Sequence, residues 1–271
     1  MIEIKRCSYC ILPASLPSVH LDDDGVCNHC RKYKRLYQNW EKIKAERLTQ
    51  FDKIINKAKM QKQTYDCLVP LSGGKDSTYA LYLCDKIYDM KCLAVTFDNG
   101  FLSEHAKTNI KNAVATTRAD HIFYSISRKT MLELFNLFIK KCSIFCQPCM
   151  RGIDVAIHIA DNFSIPTIIA GTGGRVSYLS KMPEVFQDGD VDYFRNVVKG
   201  EPIEKDIREM LFKRSSWNLK KVIRITTSLF RIPNPNPPQY ISLYDYIDVS
   251  YDDIKSTIHR EMGWNAPDEK F

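Results

Sequence analysis

The sequence predicts an α/β protein with a doubly wound parallel sheet, preceded by a small cysteine-rich module and followed by an α-rich carboxyl-terminal extension. Short apolar runs alternate with amphipathic segments through the middle of the chain, and glycine-rich turns follow three of these runs. Strands that alternate with helices favour a parallel sheet covered on both faces. In such sheets ligands bind beyond the carboxyl ends of the strands, which is where these turns are expected.

The elements follow from the periodicity of the apolar residues. Helices are predicted before residue 180 at residues 31–62, 77–88, 103–118, 131–141 and 152–162. Strands are predicted between them at residues 67–71, 91–97, 121–125 and 166–170. Each strand is therefore followed by a helix, as the parallel arrangement requires.

After residue 180 the alternation weakens. The proline-rich segment 231–238 predicts an extended connector, which a strand-like segment at 240–247 and a helix at 251–261 follow. Trp264, just beyond this helix, is expected to anchor the end of the chain. The predicted domains are an amino-terminal module, a sheet domain and a carboxyl-terminal region, at residues 1–62, 63–180 and 181–271.

Composition and charge narrow the classes of protein. The chain has 271 residues, of which 44% are hydrophobic, and a net charge of +7. No apolar run reaches the ~18 residues of a membrane-spanning helix, and the start lacks the layout of a signal peptide, so a cytoplasmic location is expected. Basic residues concentrate at 31–62 and 205–231. Such stretches can attract a nucleic acid such as tRNA, or form solvated helix faces.

The most specific feature is the segment Ser72-Gly-Gly-Lys-Asp-Ser-Thr78, which lies between a predicted strand and a predicted helix. The two glycines permit a tight turn and a close approach of backbone to ligand. The N–H groups at the start of the helix favour an anion, and Lys75 adds a positive charge. Pyrophosphate fits this array. The Walker A pattern does not, because Lys75 is followed by Asp76 and no glycine stands at the required spacing.

The same segment resembles the signature of the PP-loop ATP pyrophosphatases, also called N-type ATP hydrolases or the adenine nucleotide alpha hydrolase-like superfamily. The resemblance implies an ATP site with a magnesium ion that Asp76 helps to hold, and a catalytic role for Lys75 and Asp76. It also implies which residues bind ATP: Ser72, Gly73, Gly74, Lys75, Asp76, Ser77, Thr78, Phe97, Asp98, Gly171 and Thr172. A Gly-Ser turn in another kind of α/β protein is the bland alternative.

Two Cys-x-x-Cys pairs precede the first predicted helix, at Cys7 and Cys10 and at Cys27 and Cys30. Four thiolates with this spacing fit a closed tetrahedral site, so we predict a structural zinc knuckle. A redox pair, a disulfide and an iron–sulfur cluster are the alternatives. His20 and His29 could substitute as ligands, but the four cysteines make them unnecessary.

The knuckle, the helix after it and the loop at 72–78 together resemble the N-acetyl sugar amidotransferases of surface-polysaccharide and nonulosonic-acid pathways. Segments that contribute to the resemblance are 98–101, 109–112, 244–248 and 262–264. The resemblance implies that an N-acetyl sugar or nucleotide-sugar is adenylated and that ammonia then displaces AMP. The chain has no room for a glutaminase domain, so the ammonia is expected from a partner protein.

A second cysteine cluster, Cys142, Cys146 and Cys149, follows the predicted helix at 131–141. A cysteine acts as a nucleophile in its thiolate form, and a helix N-terminus lowers the pKa of a cysteine thiol. Cys146 and Cys149 could therefore carry sulfur as a persulfide and act catalytically. The three cysteines could also hold an iron–sulfur cluster, or be structural. Sulfur chemistry would make the chain a sulfurtransferase that thiolates a tRNA base or a small heterocycle, supplied by a sulfur-donating partner protein. A zinc-dependent nucleic-acid binder without catalytic activity is the third functional class. The sequence leaves open whether the protein forms a homodimer.

Overall fold

In a computed structural model the protein is described for residues 4–16, 18–141, 152–173, 197–203 and 238–267. The described parts fall into two compact units. The first contains the residues up to Lys53, Gly173 and Tyr244–Asp248, and the second contains Ile54–Thr172, the described part of Gly189–Leu243, and the residues from Val249 onward. The basic stretch 205–231 and the connector 231–237 lie outside the described residues.

The first unit begins with the cysteine-rich segment and continues into helix α1 (Asn28–Gln38). Helix α2 (Trp40–Met60) follows after a single residue. The prediction of one helix over 31–62 is therefore wrong, because the helix is interrupted at Asn39. Asparagine competes with helical hydrogen bonding and favours helix starts, and the Asn39 carbonyl accepts from the Ile43 amide at 3.1 Å.

The second unit is built on a parallel sheet. The strands are β1 (Cys67–Pro70), β2 (Cys92–Asp98), β3 (Asp120–Ser125), β4 (Thr167–Ala170) and β5 (Gln239–Ser242). Their order is β3-β2-β1-β4-β5, and every neighbouring pair is parallel. The strand-like segment predicted at 240–247 is shorter than expected, because a 3-10 helix (Leu243–Asp245) follows β5 directly.

Helices connect and cover these strands. They are α3 (Lys75–Tyr82), which continues as a π-helix (Leu83–Ile87), α4 (Glu104–Thr116), α5 (Arg128–Lys140), α6 (Gly152–Asn162) and α7 (Tyr251–Met262). Serine side chains accept from backbone amides at the starts of α4, α5 and α7, which satisfies donors that a helix leaves unpaired. The alternating α/β architecture predicted from the sequence is confirmed.

The core lies on the sheet. β1, β2 and β4 are almost wholly buried, and residues of α6 pack against them in a cluster with Leu68, Leu93 and Ile168. Cys67, Cys84 and Cys92 are buried here, as expected for core residues. None of the helices in the described ranges is both long and apolar enough to cross a membrane.

The strand order places a switch point at β1. The chain runs from β1 outward to β2 and β3, and then returns to β4 on the other side of β1. In open α/β sheets this arrangement leaves a crevice at the carboxyl ends of the central strands, where ligands bind. The loop at 72–78 and the glycine-rich turn at Gly171 lie at the ends of β1 and β4.

Candidate nucleotide and metal sites

The loop after β1 is a tight turn whose conformation only glycine accommodates readily. Gly73 has a φ of +78°, in the left-handed region, and a Cβ at this position would lie 2.4 Å from the carbonyl oxygen of Ala106 in α4. Ser77 ties the loop to the first turn of α3. Its hydroxyl is 3.1 Å from Ser72 Oγ and also 3.1 Å from the carbonyl oxygen of Gly74, and the Ser72 amide donates to it.

Gly74 stands at the start of α3 with an extended backbone and no side chain to cap the helix. The first amides of a helix have no partner within it and carry partial positive charge. An anion bound at this point would accept hydrogen bonds from those N–H groups. The start of α3 therefore presents helix amides at the loop, and phosphate binding there stays a prediction.

Lys75 lies in the first turn of α3 beside a carboxylate and an aromatic ring. Its ammonium nitrogen is 2.6 Å from Asp76 Oδ1 and 4.7 Å from the ring centroid of Tyr251 in α7. The ammonium group of Lys255 lies 4.2 Å from the centroid of the same ring. Two cations thus share one aromatic side chain next to the loop, which sequence spacing did not indicate.

The end of β4 packs directly on this loop. A Cβ at Gly171 would lie 2.4 Å from the carbonyl oxygen of Asp76 and 2.7 Å from the amide nitrogen of Ser77. Thr172, the next residue, hydrogen-bonds to Ser242 Oγ at 3.1 Å and to the Tyr240 hydroxyl at 3.3 Å. The structure therefore brings Gly171 to the loop and places the Thr172 hydroxyl against β5.

Phe97 and Asp98 end β2, which pairs with β1. The Asp98 carboxylate accepts from the Gly100 amide at 2.8 Å and so closes the turn after the strand. Phe97 stacks on Tyr124 of β3, with ring centroids 6.3 Å apart. A Cβ at Gly152, the first residue of α6, would lie 2.9 Å from the Phe97 ring.

Ser77 and Thr78, two of the predicted loop residues, are buried. Ser77 is 9% exposed and Thr78 is fully buried. The Thr78 hydroxyl has no hydrogen-bond partner among the described residues. Both residues lie where the loop continues into α3. Their contact with ATP stays a prediction.

The carbonyl oxygen of Gly73 accepts two hydrogen bonds that sequence reasoning missed. The indole N–H of Trp264 donates at 3.0 Å, and the Asn109 side-chain amide donates at 3.3 Å. Trp264 is 6% exposed and Asn109 is 2% exposed. The expectation that Trp264 anchors the end of the chain is confirmed, and its anchor is the loop itself. The available sequence signal for Asn109 was an asparagine inside the amphipathic helix predicted at 103–118.

The four knuckle cysteines converge in the first unit. All four sulfurs lie within 4.8 Å of one another. Cys7 Sγ is 3.9 Å from Cys30 Sγ, and Cys10 Sγ is 3.6 Å from Cys27 Sγ. A tetrahedral zinc ion with Zn–S bonds of about 2.3 Å holds its sulfurs about 3.8 Å apart, so the cluster fits a zinc knuckle.

Backbone amides support thiolate formation at Cys7 of this cluster. The amides of Cys27 and Tyr9 lie 3.2 and 3.4 Å from Cys7 Sγ, and the Cys30 amide lies 3.4 Å from Cys27 Sγ. Burial raises the pKa of Cys7, but the amides of Cys10, Cys27 and Tyr9 outweigh it and lower the pKa to about 6. Burial instead raises the pKa of Cys10 and of Cys30. A metal ligand must be a thiolate, so the amides around Cys7 favour metal binding through that residue. His29 instead contacts the Ser18 carbonyl, at 3.1 Å.

Cys142, Cys146 and Cys149 lie outside the described residues. Their roles in an iron–sulfur cluster or a persulfide therefore stay predictions. The described chain resumes at Gly152, the residue that packs against Phe97.

His121 of β3 connects the sheet face to the base of the loop. Thr96 Oγ1 donates to the Leu71 carbonyl at 2.7 Å, so it accepts from His121 Nε2, 2.8 Å away. Burial lowers the pKa of His121. The imidazole therefore favours its neutral form, with the proton on Nε2.

Comparison with known proteins gives limited similarity. No model of a known protein family matches the chain. An uncharacterized protein of Methanocaldococcus jannaschii is 28% identical over 149 residues, which cover 55% of this chain and 51% of the relative. The chain thus spans about half the length of that curated relative.

Three solved structures are similar at low identity. The U34-tRNA thiolase NcsA from Methanococcus maripaludis, with its [4Fe-4S] cluster, has a TM-score of 0.41 and 13% identity, and the match covers 100% of this chain and 76% of that one. The predicted tRNA methyltransferase subunit from Methanocaldococcus jannaschii has a TM-score of 0.35 and 15% identity, with 70% and 74% covered. NAD+ synthetase from Burkholderia pseudomallei has a TM-score of 0.33 and 12% identity, with 64% and 89% covered.

Proposed function

We propose that the protein is an ATP pyrophosphatase of the PP-loop kind, which cleaves ATP into AMP and pyrophosphate to adenylate an oxygen of a second substrate. The observation that carries the proposal is the loop after β1. Gly73 has a left-handed backbone conformation, and Gly171 packs against the backbone of the first turn of α3. Lys75 lies in that same turn, with its ammonium group beside Asp76. This combination supports a backbone cradle for pyrophosphate with one positive side chain.

The reaction needs little covalent chemistry from the protein. The acceptor oxygen attacks the α-phosphorus, the bond from the α-phosphorus to the bridging oxygen breaks, and pyrophosphate leaves with that electron pair. The amides at the start of α3 and the ammonium group of Lys75 stabilise the charge that develops on the leaving group. Magnesium, held in part by Asp76, would supply further charge neutralisation.

Ammonia is the proposed second nucleophile, as the resemblance to the N-acetyl sugar amidotransferases suggests. The acceptor would be the amide oxygen of an N-acetylated sugar or nucleotide-sugar. Ammonia then attacks the amide carbon, the carbon–oxygen bond breaks, and AMP departs with the former amide oxygen. Loss of a proton leaves an amidine. A glutaminase partner would supply the ammonia.

Sulfur is the second candidate nucleophile. The observation that favours it is that Gly152 packs on Phe97 at the end of β2, and Cys149 and Cys146 precede Gly152 by three and six residues. A sulfur-donating partner protein would load one of these thiols as a persulfide, whose outer sulfur attacks the adenylated carbon of a tRNA base or a small heterocycle and displaces AMP. The second thiol then attacks the inner sulfur, which releases the thiolated product and leaves a Cys146–Cys149 disulfide that an external thiol reduces.

The knuckle is proposed to hold one zinc ion in a structural role. Four cysteine sulfurs complete a tetrahedral shell and leave no position for a substrate. We also propose a cytoplasmic location, and dimerisation through the knuckle or through helices α1 and α2.

One experiment separates the two nucleophiles. In one reaction the protein is incubated with Mg-ATP, ammonium chloride and a mixture of N-acetylated sugars whose acetyl oxygen is labelled with ¹⁸O. In the other reaction the protein is first loaded with sulfane sulfur from a low-molecular-weight persulfide and is then incubated with Mg-ATP and either tRNA or a mixture of small heterocycles. Amidation predicts ammonium-dependent AMP that carries the label, and an amidine product. Thiolation instead predicts AMP and a thiolated tRNA or heterocycle from the persulfide-loaded protein, both lost in Cys146→Ala and Cys149→Ala. ADP and phosphate as products would contradict both.

A further inference from the structure

We infer that Trp264, together with Asn109, is a positioning residue of the pyrophosphate loop and sets the orientation of the peptide between Gly73 and Gly74. The inference rests on the proposed function, because it assigns a role within that same site. Trp264 comes from the chain after α7, 191 positions from Gly73 in sequence. The carboxyl-terminal segment is thereby made part of the nucleotide site.

The contact acts on one peptide group. The Gly73 carbonyl accepts from the Trp264 indole at 3.0 Å and from the Asn109 amide at 3.3 Å. A trans peptide is planar, so its C=O and the following N–H point in nearly opposite directions. Two donors on the Gly73 oxygen therefore turn the Gly74 N–H away from Trp264. On that opposite side the Gly74 N–H donates to Ser72 Oγ at 3.4 Å, a long hydrogen bond that an oxygen of bound pyrophosphate would replace.

Glycine makes this control necessary. A peptide flanked by two glycines can rotate with little steric resistance, because neither residue has a Cβ. Gly73 must also keep its left-handed φ of +78° against α4. Hydrogen bonds to the carbonyl supply the restraint that side chains would supply elsewhere.

The two donors are themselves held rigidly. The Trp264 amide donates to the Ile258 carbonyl at 3.2 Å, and the Trp264 carbonyl contacts His259 Nδ1 at 2.9 Å. The Asn109 side chain pairs with the backbone of Asn265 in both directions, at 2.9 and 3.1 Å. The indole thus reaches the Gly73 oxygen from a fixed backbone, as a positioning group must.

The effect should be larger in the transition state than in the ground state. Negative charge grows on the leaving pyrophosphate as the bond to the α-phosphorus breaks, and a correctly aimed N–H gains strength with that charge. Loss of the indole donor should therefore lower kcat more than it raises KM for ATP. A purely structural anchor would instead lower the unfolding temperature and leave the kcat-to-KM pattern unchanged.

The test compares Trp264→Phe with Asn112→Ala. Trp264→Phe keeps an aromatic ring but removes the N–H donor. Asn112 donates to the Gly263 carbonyl at 2.8 Å, so Asn112→Ala weakens the same chain segment without touching Gly73. Calorimetric titration with magnesium pyrophosphate is the first readout, because it requires no acceptor. The kcat and KM for ATP follow, once AMP formation is measured.

We expect Trp264→Phe to weaken pyrophosphate binding by about tenfold, the effect of one hydrogen bond to a charged group, and Asn112→Ala to change it less than about twofold. Unchanged binding in Trp264→Phe would overturn the inference, and so would equal losses in both variants. Wild-type protein that binds neither pyrophosphate nor ATP would overturn the proposed function itself, which distinguishes the two failures.

Fluorescence keeps the inference testable if Trp264→Phe does not fold. The chain has three tryptophans, and replacing Trp40 and Trp217 with phenylalanine leaves Trp264 as the sole reporter. Pyrophosphate should then shift the emission of Trp264, since the indole is bonded to the loop that binds the anion. Saturating pyrophosphate without any shift would overturn the inference.

Discussion

Gly171, at the end of β4, lies so close to Asp76 that a Cβ on the glycine would be 2.4 Å from the Asp76 carbonyl oxygen. The neighbouring atom is backbone at the start of α3, so it cannot move aside as a flexible side chain would. The contact fixes the position of the loop relative to the end of β4. Two glycine-rich turns that are far apart in sequence thus form one surface.

Gly171→Ala and Gly73→Ala are predicted to lower the rate of AMP formation by roughly 100-fold or more. The first change pushes the start of α3 away from β4. The second places a Cβ 2.4 Å from the Ala106 carbonyl and forces an L-residue into a left-handed conformation. A displacement of about 1 Å in a catalytic site costs on the order of 100-fold in rate, which AMP formation would reveal.

Gly200→Ala is the control for this pair. Gly200 has a φ of +77°, but a Cβ there meets no atom within 4 Å. It should cost some stability through backbone strain and leave turnover at the wild-type level. Wild-type rates in Gly171→Ala would contradict the placement of β4 against the loop.

Lys75→Ala should lower kcat by roughly 100- to 1,000-fold, the usual effect of removing a group that stabilises transition-state charge. Its ammonium group lies beside Asp76 and Tyr251 at the start of α3. The control is Lys86→Ala, because Lys86 is paired with Asp85 in the π-helix, 3.6 Å away. Equal rates for the two variants, measured as AMP formed, would remove Lys75 from the mechanism.

The knuckle should contain about one zinc ion per chain, which elemental analysis of protein purified without chelator would measure. Cys27→Ser should lose the metal, because three thiolates leave the tetrahedral shell open. Cys84→Ala should retain it, since Cys84 is a buried cysteine of the sheet unit. Iron with acid-labile sulfide that disappears in Cys27→Ser would contradict a zinc knuckle.

His121 predicts a pH dependence of stability. Its folded-state pKa lies below the unfolded value of about 6.5, because burial disfavours the charged form. The unfolded chain therefore binds more protons than the folded chain at mildly acidic pH, and the free energy of unfolding should fall as the pH drops below about 6.5. Urea titrations between pH 7.5 and 5 should show a shallower decline for His121→Gln. Superimposable pH profiles for the two proteins would refute the assignment.

The sequence predicted the sheet strands well because each is a short apolar run that ends at glycine or at a polar turn residue. The strand of 91–97 and the helix of 152–162 closely match β2 and α6. The prediction of one long helix at 31–62 was wrong, because the apolar periodicity continues through Asn39 whereas the helical backbone is interrupted there. The strand after 240 was too long because Leu243 is buried in a 3-10 helix rather than in a strand.

Spacing alone predicted the parts of the candidate site whose residues are close in sequence, and the family resemblance added the strand-end residues Phe97, Asp98, Gly171 and Thr172. The loop at 72–78 and the four knuckle cysteines are compact motifs, so their chemistry is visible in the spacing. The contacts of Gly73 with Trp264, and of Lys75 with Tyr251, join segments separated by the whole sheet domain. No local periodicity reports such contacts, because they depend on where α7 packs against α3.

The most direct test of the central claim is ³¹P NMR of the products formed from Mg-ATP. The reaction contains wild-type protein, ammonium chloride and a filtered pool of small molecules that supplies the acceptor, and Gly73→Ala serves as the control for contaminating activity. The account predicts AMP and pyrophosphate in equal amounts, formed by the wild type and not by Gly73→Ala. ADP and inorganic phosphate, or AMP that Gly73→Ala forms equally well, would contradict it.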